Sequence, residues 1–488
     1  MEYVLGIDIG TGSVKAVAVD LKGNSFADAQ HHYPFSAPKP GYHEQYPEQI
    51  FDAFTESIKD VIAKIGLQPL TISLSSAMHS FIAVDNNGNA LAPMMTWADN
   101  RSAQIAVDLR ATERGMSIYK ATGTPIHSMS PLCKLIWLRE NDPELFHKAH
   151  KFISIKEYIW HRLFNEFVID YSIASSTGLF NITQFEWHED ALKLAETTAD
   201  KLSAPVPTDY SKTGSPIGFL DKNIPFVIGA SDGCLANLGS MATEPGIASM
   251  TIGTSGAVRV ASGKPLPNAD AMTFSYILDK NTYICGGPIN NGGVAMQWWV
   301  KNVAGPKVTE KDYEHIFSEI AKIPAGSNGL IFLPYLTGER APIWDSESCG
   351  NFFGVRLHHT QADFSRAVLE GICFAMRDVL DAVQENSEPI TQINISGGFT
   401  KSEIWVKTLA DITGKKLAIL QADDASAVGA AFIALKVIGV MKEYPKASDD
   451  LIIYQPNSQN GEAYNRTFSI YKQLYTDLKA TMHQAYKA

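Results

Sequence analysis

The sequence predicts an α/β protein made of two similar domains, and three observations support this prediction. With 488 residues, the chain is longer than one compact core usually accommodates. Segments with the apolar pattern of strands alternate with helix-like segments in both halves of the chain. The segment IGTGSVKAV, which begins at Ile9, returns half a chain later as IGTSGAVRV, which begins at Ile252. A chance match is the alternative, but the mid-chain spacing favours two domains, which we place at 1–242 and 243–488.

Composition and charge exclude several classes of protein. Hydrophobic residues make up 45% of the chain and charged residues 19%, as in an ordinary globular protein. The net charge is −11 and no run of Lys and Arg occurs, so nucleic acid is not an expected partner. There is no stretch of about 18 uninterrupted apolar residues, and the N-terminus lacks the pattern of an export signal. We therefore expect neither a membrane span nor export.

The cysteines indicate a reducing compartment. The chain has five of them, an odd number, and they are widely spaced and never arranged as Cys-x-x-Cys. This pattern argues against both a disulfide framework and a zinc site. We therefore expect a cytoplasmic protein.

The repeated segment predicts a β-hairpin in each domain. In the first copy, the strand-like segments YVLGIDIG and VKAVAVD flank the turn residues TGS. The G-x-G-x-x-G pattern of dinucleotide-binding folds fails because Lys15 takes the third glycine position, and the pattern G-x-x-x-x-G-K-[ST] is absent. A turn rich in glycine and hydroxyl groups can direct several N–H and O–H donors at a phosphate. Two such turns could hold a polyphosphate, and a purely structural hairpin is the alternative.

The remaining periodicities predict helices and strands in both halves. PEQIFDAFTESIKDVIAKIG is expected to be a helix with Pro47 in its first turn and Gly66 after its end. LTISLSSA and FIAVD are expected to be strands, followed by the turn NNGN. Late in the chain, we expect the helix FSRAVLEGICFAMRDVLDAVQ, the strand ITQINIS, a glycine turn and the helix SEIWVKTLADITG.

Seven motifs occur in order along nearly the whole chain: DIGTGSVK, AMHS, WADNRS, GASDGCLANLG, TIGTSG, PYLTGERAPIWD and ISGGFTKSEIW. In this set and order the sequence resembles the FGGY family of carbohydrate kinases, members of the actin-like ATPase superfamily. The resemblance implies two duplicated, ribonuclease H-like domains that face a central cleft and close over ATP and Mg²⁺. Relatives are often dimers, so a homodimer is also expected.

Two of these motifs bear on the substrate. SAMHSFIAVD followed by TWADNRS is most similar to gluconate kinases. Xylulose kinases are close, and often carry Gln-Met-His-Gly and Trp-Asn-Asp-Gly-Arg at these places. The resemblance implies phosphorylation of gluconate to 6-phosphogluconate, with xylulose or another polyol as the alternative substrate. An actin-like ATP switch that acts on no sugar is the alternative from another class, and the two sugar motifs argue against it.

Two aspartates match family positions that take part in the phosphoryl transfer, one as a base and one as a metal-binding acid. Asp232 follows the apolar strand FVIGA and precedes a glycine, and it matches the catalytic aspartate, the general base that accepts the proton of the sugar hydroxyl. A plain Asp-Gly turn is the alternative. Asp8 alternates with apolar residues in the first strand, and the resemblance makes it the acid that holds Mg²⁺ through water. A buried, hydrogen-bonded aspartate at a strand end is the alternative there.

The sugar-contacting motifs of the family fall in the first half of the chain. A polyol is recognised by directional polar groups, and a sugar acid also requires a cation near its carboxylate, which Arg101 or a charged His79 could supply. A structural histidine is the alternative for His79, and an ion pair with Asp99 is the alternative for Arg101. The resemblance implies that the sugar is bound by Met78, His79, Asp99, Arg101 and Asp232.

The nucleotide-binding motifs of the family fall in both halves. Ser402 stands where some relatives carry an Asn that contacts adenine, which puts that contact in doubt. For the paired late glycines, a helix cap is the alternative. The residues expected to bind ATP are Gly10, Thr11, Gly12 and Ser13 in the first hairpin, Thr254 and Ser255 in the second, and Gly293, Gln297, Gly397 and Gly398 beyond it.

Overall fold

The structure is a computed structural model and describes residues 2–304, 310–420, 424–446 and 451–487. The chain forms two compact units, and each unit is built from three separate segments of the sequence. The first unit contains Met1–Thr243, Ala261–Cys285 and Asp424–Lys446, and the second contains Glu244–Val260, Gly286–Asp423 and Ala447–Ala488. Two segments from the second half of the chain therefore pack with the first unit.

The strands alternate with helices along the chain, as the sequence predicts. They are β1 Tyr3–Ile9, β2 Ser13–Asp20, β3 Ser25–His32, β4 Glu44–Gln45, β5 Ile72–Ser76, β6 Ile82–Val84, β7 Met94–Met95, β8 Lys151–Ile153, β9 Val168–Asp170, β10 Phe180–Asn181, β11 Glu186–Trp187, β12 Ala204–Val206, β13 Ser211–Lys212, β14 Phe226–Ser231, β15 Ile247–Ile252, β16 Gly256–Ser262, β17 Phe274–Asp279, β18 Thr282–Ile289, β19 Ile331–Leu333, β20 Asn351–Phe353, β21 Gln392–Ser396, β22 Lys416–Ile419 and β23 Ile452–Tyr454.

The α-helices of the described residues range from one turn to eight. They are α1 Pro47–Ile65, α2 Ala103–Arg110, α3 Glu113–Thr122, α4 Pro131–Asn141, α5 Pro143–Lys148, α6 Ile155–Phe164, α7 Tyr171–Ser175, α8 Glu189–Leu194, α9 Asp232–Gly239, α10 Gly293–Trp299, α11 Glu310–Ile320, α12 Gln361–Gln384, α13 Glu403–Thr413, α14 Ala425–Val437 and α15 Ser458–Lys487. Within the described ranges, no helix is both long and apolar enough to cross a membrane.

The first unit is organised by a six-stranded sheet in the order β13-β14-β5-β1-β2-β3. β1 and β2 form the predicted antiparallel hairpin, with Ile9 opposite Val14, while β5 runs parallel to both β1 and β14. The side chains of β1 alternate between two cores, because Leu5 and Ile7 face one cluster and Val4 faces the other. A central strand buried on both faces explains the near-continuous apolar run in the sequence.

Helix α1 covers one face of this sheet and is bounded as the sequence predicts. Pro47 occupies the first turn, where its missing N–H costs no hydrogen bond. Gly66 ends the helix in the left-handed conformation, with φ of 75° and its N–H donating to the carbonyl of Ile62. The buried side chains of this helix, among them Phe54 and Ile58, belong to the same core as Ile7.

Helix α14 packs on the other face, although it comes late in the chain. The approach is close: a Cβ on Gly6 would lie 1.8 Å from the carbonyl oxygen of Ala427, and a Cβ on Gly239 would lie 2.0 Å from that of Ala425. Gly429, on the helix itself, meets the carbonyl of Leu235 in the same way, at 2.1 Å. Glycine is therefore required at these contacts because backbone touches backbone.

The second unit repeats the hairpin of the first. Its strands run in the order β16-β15-β21-β22-β23, with β15 and β16 antiparallel and β21 parallel to β15. An antiparallel hairpin beside a parallel third strand is also the arrangement of β2, β1 and β5. The predicted hairpin at Ile252, the long helix α12, the strand β21 and the helix α13 are all confirmed.

Candidate active site

The first hairpin turn is fixed by side chains from three other segments. Gln45 Nε2 donates to the Thr11 carbonyl at 2.6 Å, and Trp97 Nε1 donates to the Thr11 hydroxyl at 2.7 Å. The Tyr33 hydroxyl donates to the Gly10 carbonyl. Within the part of the chain that the structure describes, the amides of Thr11 and Gly12 donate to no protein acceptor. The turn is thus held in shape from the protein side while two amides stay available to an anion.

Asp8 lies at the end of β1, where the predicted metal ligand should be. Its Oδ1 accepts a hydrogen bond from Ser75 Oγ at 2.7 Å, and Ser75 is its register partner on β5. Desolvation raises the pKa of Asp8, the hydrogen bond from Ser75 lowers it, and the negative charge of Asp424 raises it again. Asp424 itself is ion-paired with Lys15, whose Nζ is 2.6 Å from Asp424 Oδ2.

Asp232 begins helix α9, directly after the buried strand β14. The Ser231 hydroxyl caps this helix by accepting from the Cys234 amide, and Asp232 Oδ1 accepts from the Gly233 amide at 2.7 Å. A carboxylate in the first turn of a helix is stabilised in its charged form by the helix dipole. Lys156 Nζ donates to the Ala230 carbonyl at 2.8 Å and so anchors the strand end from which Asp232 follows.

The register of the sheet brings these residues to one edge. Asp8 on β1 and Ala230 on β14 both lie opposite Ser75 on β5, and all three strands are parallel. Asp232 and His79 follow the carboxyl ends of β14 and β5. Binding sites of open α/β sheets form at the carboxyl ends of parallel strands, and this edge carries the predicted base Asp232, the predicted metal ligand Asp8 and His79, whereas Asp99 and Arg101 follow β7, outside this sheet.

His79 is held in a strained backbone conformation, with φ of 65°. Its ring Nδ1 is 2.8 Å from the carbonyl oxygen of Ser176, and a carbonyl only accepts, so Nδ1 carries the hydrogen. Tyr276 lies on the opposite side of the ring, its hydroxyl 3.5 Å from Nε2. The preceding residue, Met78, is half-buried and packs against one core of the unit.

Arg101 is ion-paired with Asp99, the alternative that the sequence left open, and with Glu44 as well. Its Nε and Nη2 lie 2.9 and 2.8 Å from the two oxygens of Asp99, and Nη2 lies 2.5 Å from Glu44 Oε1. The guanidinium also stacks over the ring of Tyr42, at 3.7 Å from its centroid. These contacts use two of the three guanidinium nitrogens. Asp99 is fully buried and also accepts from the His43 amide at 2.7 Å.

The second unit contains a cavity of 930 Å³ at its own hairpin turn. Helix α10 begins against this turn, where the Gly293 amide donates to the Gly253 carbonyl at 2.7 Å. Gly397, before the lining residue Gly398, has φ of 111°, and a Cβ there would lie 2.3 Å from the Ile252 carbonyl oxygen. Of the residues predicted to bind ATP, those that line this cavity are Thr254, Gly293, Gln297 and Gly398. The lining also includes Ser402, Tyr313, Phe317, Phe399 and Trp405.

Sequence reasoning missed four polar residues that support these sites. Ser75 binds Asp8, Glu44 binds Arg101, Lys156 supports β14, and Lys134 lies beneath the sugar motifs. The only signal for the two lysines is a charge inside an apolar helical segment, as in SPLCKLIW. Nothing local marks Ser75 or Glu44, because their partners are 57 residues or more away.

Comparison with known proteins gives consistent matches over the whole chain. The N-terminal domain model of the FGGY family of carbohydrate kinases matches residues 3–239, and the C-terminal domain model matches residues 248–437. The gluconokinase of Bacillus subtilis is 40% identical over 460 residues, which covers 92% of this chain and 90% of that protein. A xylulose kinase of Staphylococcus epidermidis is 29% identical and covers 98% of this chain and 97% of that protein.

Two solved structures from Lactobacillus acidophilus match equally well. The gluconate kinase and a ligand-bound xylulose kinase are each 33% identical, with a TM-score of 0.93. The matches cover 99% of this chain in both cases, and 99% and 100% of the solved chains. The expected actin-like, two-domain α/β fold is therefore confirmed. With both domain models matched in order, the chain belongs to the FGGY family of carbohydrate kinases.

Proposed function

We propose that this carbohydrate kinase transfers the terminal phosphoryl group of ATP to the terminal hydroxyl of gluconate, giving 6-phosphogluconate. The observation that carries the proposal is the difference in identity between the relatives, 40% to a gluconokinase against 29% to a xylulose kinase. The solved structures do not discriminate, because both Lactobacillus enzymes match with the same identity and TM-score. Xylulose is therefore the second candidate substrate.

Asp232 is the proposed general base. Phosphoryl transfer requires an aligned hydroxyl whose proton is accepted as the new P–O bond forms. Asp232 stands at the N-terminal end of α9, where the helix dipole is favourable to negative charge, and its carboxylate is the group proposed to accept that proton. In the proposed site, Met78, His79 and Arg101 contact the sugar, and the buried Asp99 acts by holding Arg101 in place. The nitrogen Nη1 of Arg101, which neither Asp99 nor Glu44 uses, is the donor proposed for the carboxylate of gluconate.

The residues present fit a magnesium ion at Asp8. Mg²⁺ prefers oxygen ligands and commonly takes one or two carboxylates plus water and substrate phosphate. Asp8 presents a carboxylate at the strand end next to the first turn, and a Cβ on Gly10 would lie 3.8 Å from its Oδ2. A bound Mg²⁺ would neutralise charge on the phosphates. In the described residues no group of three or more His, Cys, Asp or Glu side chains forms a metal cage.

The two hairpin turns are proposed to bind the phosphates of ATP. Gly10, Thr11, Gly12 and Ser13 would do so in the first unit, and Thr254 and Ser255 in the second. The cavity beside Gly293, Gln297, Gly397 and Gly398 is proposed for the nucleoside. Its aromatic lining, including Tyr313 and Phe317, suits a flat base.

We also propose a cytoplasmic location for the enzyme. All five cysteines are free thiols, which supports a reducing, cytoplasmic location. A homodimer, and the absence of a nucleic-acid partner, remain predictions from the sequence.

A coupled assay that detects ADP tests the substrate. Gluconate, xylulose, ribulose, fuculose, rhamnulose and glycerol are offered one at a time with Mg²⁺ and ATP, and we expect the highest kcat/KM for gluconate. A higher value for xylulose would replace the first candidate by the second. ATP turnover without any added polyol would favour an ATP switch instead.

A further inference from the structure

A fully buried lysine connects the two loops that carry the sugar motifs. Lys134 lies in helix α4, and its exposure is 0%, which is rare for a lysine without a paired carboxylate. Its Nζ donates to the His79 carbonyl at 2.6 Å and to the Thr96 carbonyl at 2.7 Å. His79 belongs to the loop after β5, and Thr96 to the loop after β7. One ammonium group on α4 therefore joins two loops whose contacted residues lie 55 and 38 positions earlier in the chain.

No carboxylate oxygen in the described ranges lies within ion-pair distance of this ammonium. The charged and titratable groups that face it are Asp99 and Arg101 on the second loop, His43, and the neighbouring Cys133. Lys156, the other fully buried lysine of the first unit, differs because its Nζ is 2.7 Å from Asp170 Oδ2. Burying an ammonium without an ion partner is costly, so the two carbonyl contacts of Lys134 must offset that cost.

The loops that Lys134 joins carry the side chains proposed to bind sugar. In the first loop, His79 is at a positive φ and its ring is fixed on Ser176. In the second, Asp99 and Arg101 are fixed to each other, and Trp97 reaches the first hairpin turn through Thr11. Within each loop the geometry is set by its own contacts. The two segments pair directly at Phe81 and Met95, whose amides donate to each other's carbonyls at 2.9 and 3.0 Å, and Lys134 binds both backbones beyond that pair, where the sugar motifs lie.

We propose that Lys134 is a positioning residue that holds the His79 loop and the Thr96–Arg101 loop at the spacing the sugar requires. It touches no reacting atom and acts through the two carbonyls. This role rests on the proposed function only in assigning the sugar to these loops, and the contacts themselves do not depend on which sugar is bound.

The substitution Lys134→Met tests the proposal, because it keeps the length of the side chain and removes the donors. We expect KM for the sugar to rise at least about tenfold, KM for ATP to stay within about twofold, and kcat to fall less than the sugar KM rises. Lys134→Gln, which retains one donor group, should give an intermediate sugar KM. If Lys134→Met does not fold, Lys134→Gln is used for the same measurements.

Lys151→Met is the matched control. Lys151 also donates to two backbone carbonyls, those of Asp200 and Leu202, both at 2.8 Å, but these lie outside the sugar loops. We expect this variant to leave both KM values within about twofold of wild type. A sugar KM raised as much as in Lys134→Met would show a general effect of removing a carbonyl-bound lysine and would overturn the proposal.

Hydrogen–deuterium exchange of the protein without substrate provides a second readout. We expect Lys134→Met to raise exchange in segments 77–80 and 96–101 while segment 252–260 keeps its wild-type rate. Unchanged exchange in both loops, or a uniform rise over the whole chain, would overturn the positioning role. Because this measurement needs no sugar, it distinguishes failure of this proposal from failure of the substrate assignment.

Discussion

At the scale of single residues, the first unit places similar groups in different surroundings and so gives them different roles. Asp232 stands in the first turn of a helix, whereas Asp8 lies at the end of a strand, where desolvation raises its pKa. Lys134 and Lys156 are both buried, but only Lys156 has a carboxylate partner. These differences lead to two predictions.

Asp232→Asn removes the proposed proton acceptor while keeping the size of the side chain. General-base help is worth about 10² to 10⁴ in rate, so we expect kcat to fall at least about a hundredfold. The affinity for ATP should change little, because the nucleotide contacts lie elsewhere. Steady-state kinetics and nucleotide titration measure the two quantities. A variant with near-normal kcat but a raised sugar KM would make Asp232 a sugar ligand and place the base elsewhere.

Lys134 should make the stability of the protein depend on pH. Burial lowers the pKa of Lys134 from its ordinary value of 10.5 to about 7. Between these values the unfolded chain holds a proton at this site that the native chain has released, so stability rises with pH through this window. Relative to Lys134→Met, which cannot titrate there, the wild type should gain free energy of unfolding from about pH 7 to 10. Urea unfolding of both proteins measures the difference, and a difference independent of pH would contradict the expectation.

At the scale of elements, the first unit depends on a helix that arrives late in the chain. α14 lies against β1 and α9 at distances that only glycine permits, with Gly6, Gly239 and Gly429 each facing a carbonyl. The same sheet carries Asp8 at the end of β1 and Asp232 after β14. The packing of α14 therefore supports the strands that position Asp8 and Asp232, the proposed metal ligand and the proposed base.

Gly6→Ala should destabilise the protein, because the new methyl would lie 1.8 Å from the carbonyl oxygen of Ala427 and one backbone must move. Overpacking of this kind costs roughly 1 to 3 kcal/mol of unfolding free energy. Gly218→Ala is the matched control, since no atom lies within 4 Å of its Cβ position. The midpoint of urea unfolding measures both variants. Equal midpoints for the two variants would show that α14 moves to accommodate the new methyl group without a loss of unfolding free energy.

At the scale of the whole molecule, the proposed functions divide between the two units. The sugar loops, the proposed base and the metal ligand belong to the first, and the nucleoside cavity belongs to the second. Each unit carries one copy of the glycine-rich hairpin. The binding of each substrate can therefore be followed separately, in the unit proposed to bind it.

Hydrogen–deuterium exchange with one substrate at a time should show that division. We expect a non-hydrolysable ATP analogue alone to protect segments 252–256 and 397–402. Gluconate alone should protect segments 77–80 and 96–101, because ligands slow exchange where they order the backbone. Protection of the sugar loops by xylulose but not by gluconate would favour the second candidate substrate. If the analogue left both glycine turns of the second unit unchanged, the nucleotide assignment would be wrong.

The sequence by itself determined the features that depend on neighbouring residues. Both hairpins, the helix Pro47–Ile65 with its capping Gly66, and the order of family motifs follow from local patterns, and all were confirmed. Proline, glycine and alternating apolar residues act over a few positions, so their effect can be read from a short segment. The motifs also gave the family, because each is short and their order is preserved.

Only the tertiary structure decided which distant residues meet. It paired Arg101 with Glu44, buried Lys134 beneath two loops and packed Asp424–Lys446 with the first unit. Each of these contacts joins segments tens to hundreds of residues apart, and their free energy comes from burial and hydrogen bonds that exist only once the chain is folded. A lysine in SPLCKLIW has the same local sequence whether it is exposed or buried, and its surroundings alone make it a cross-link.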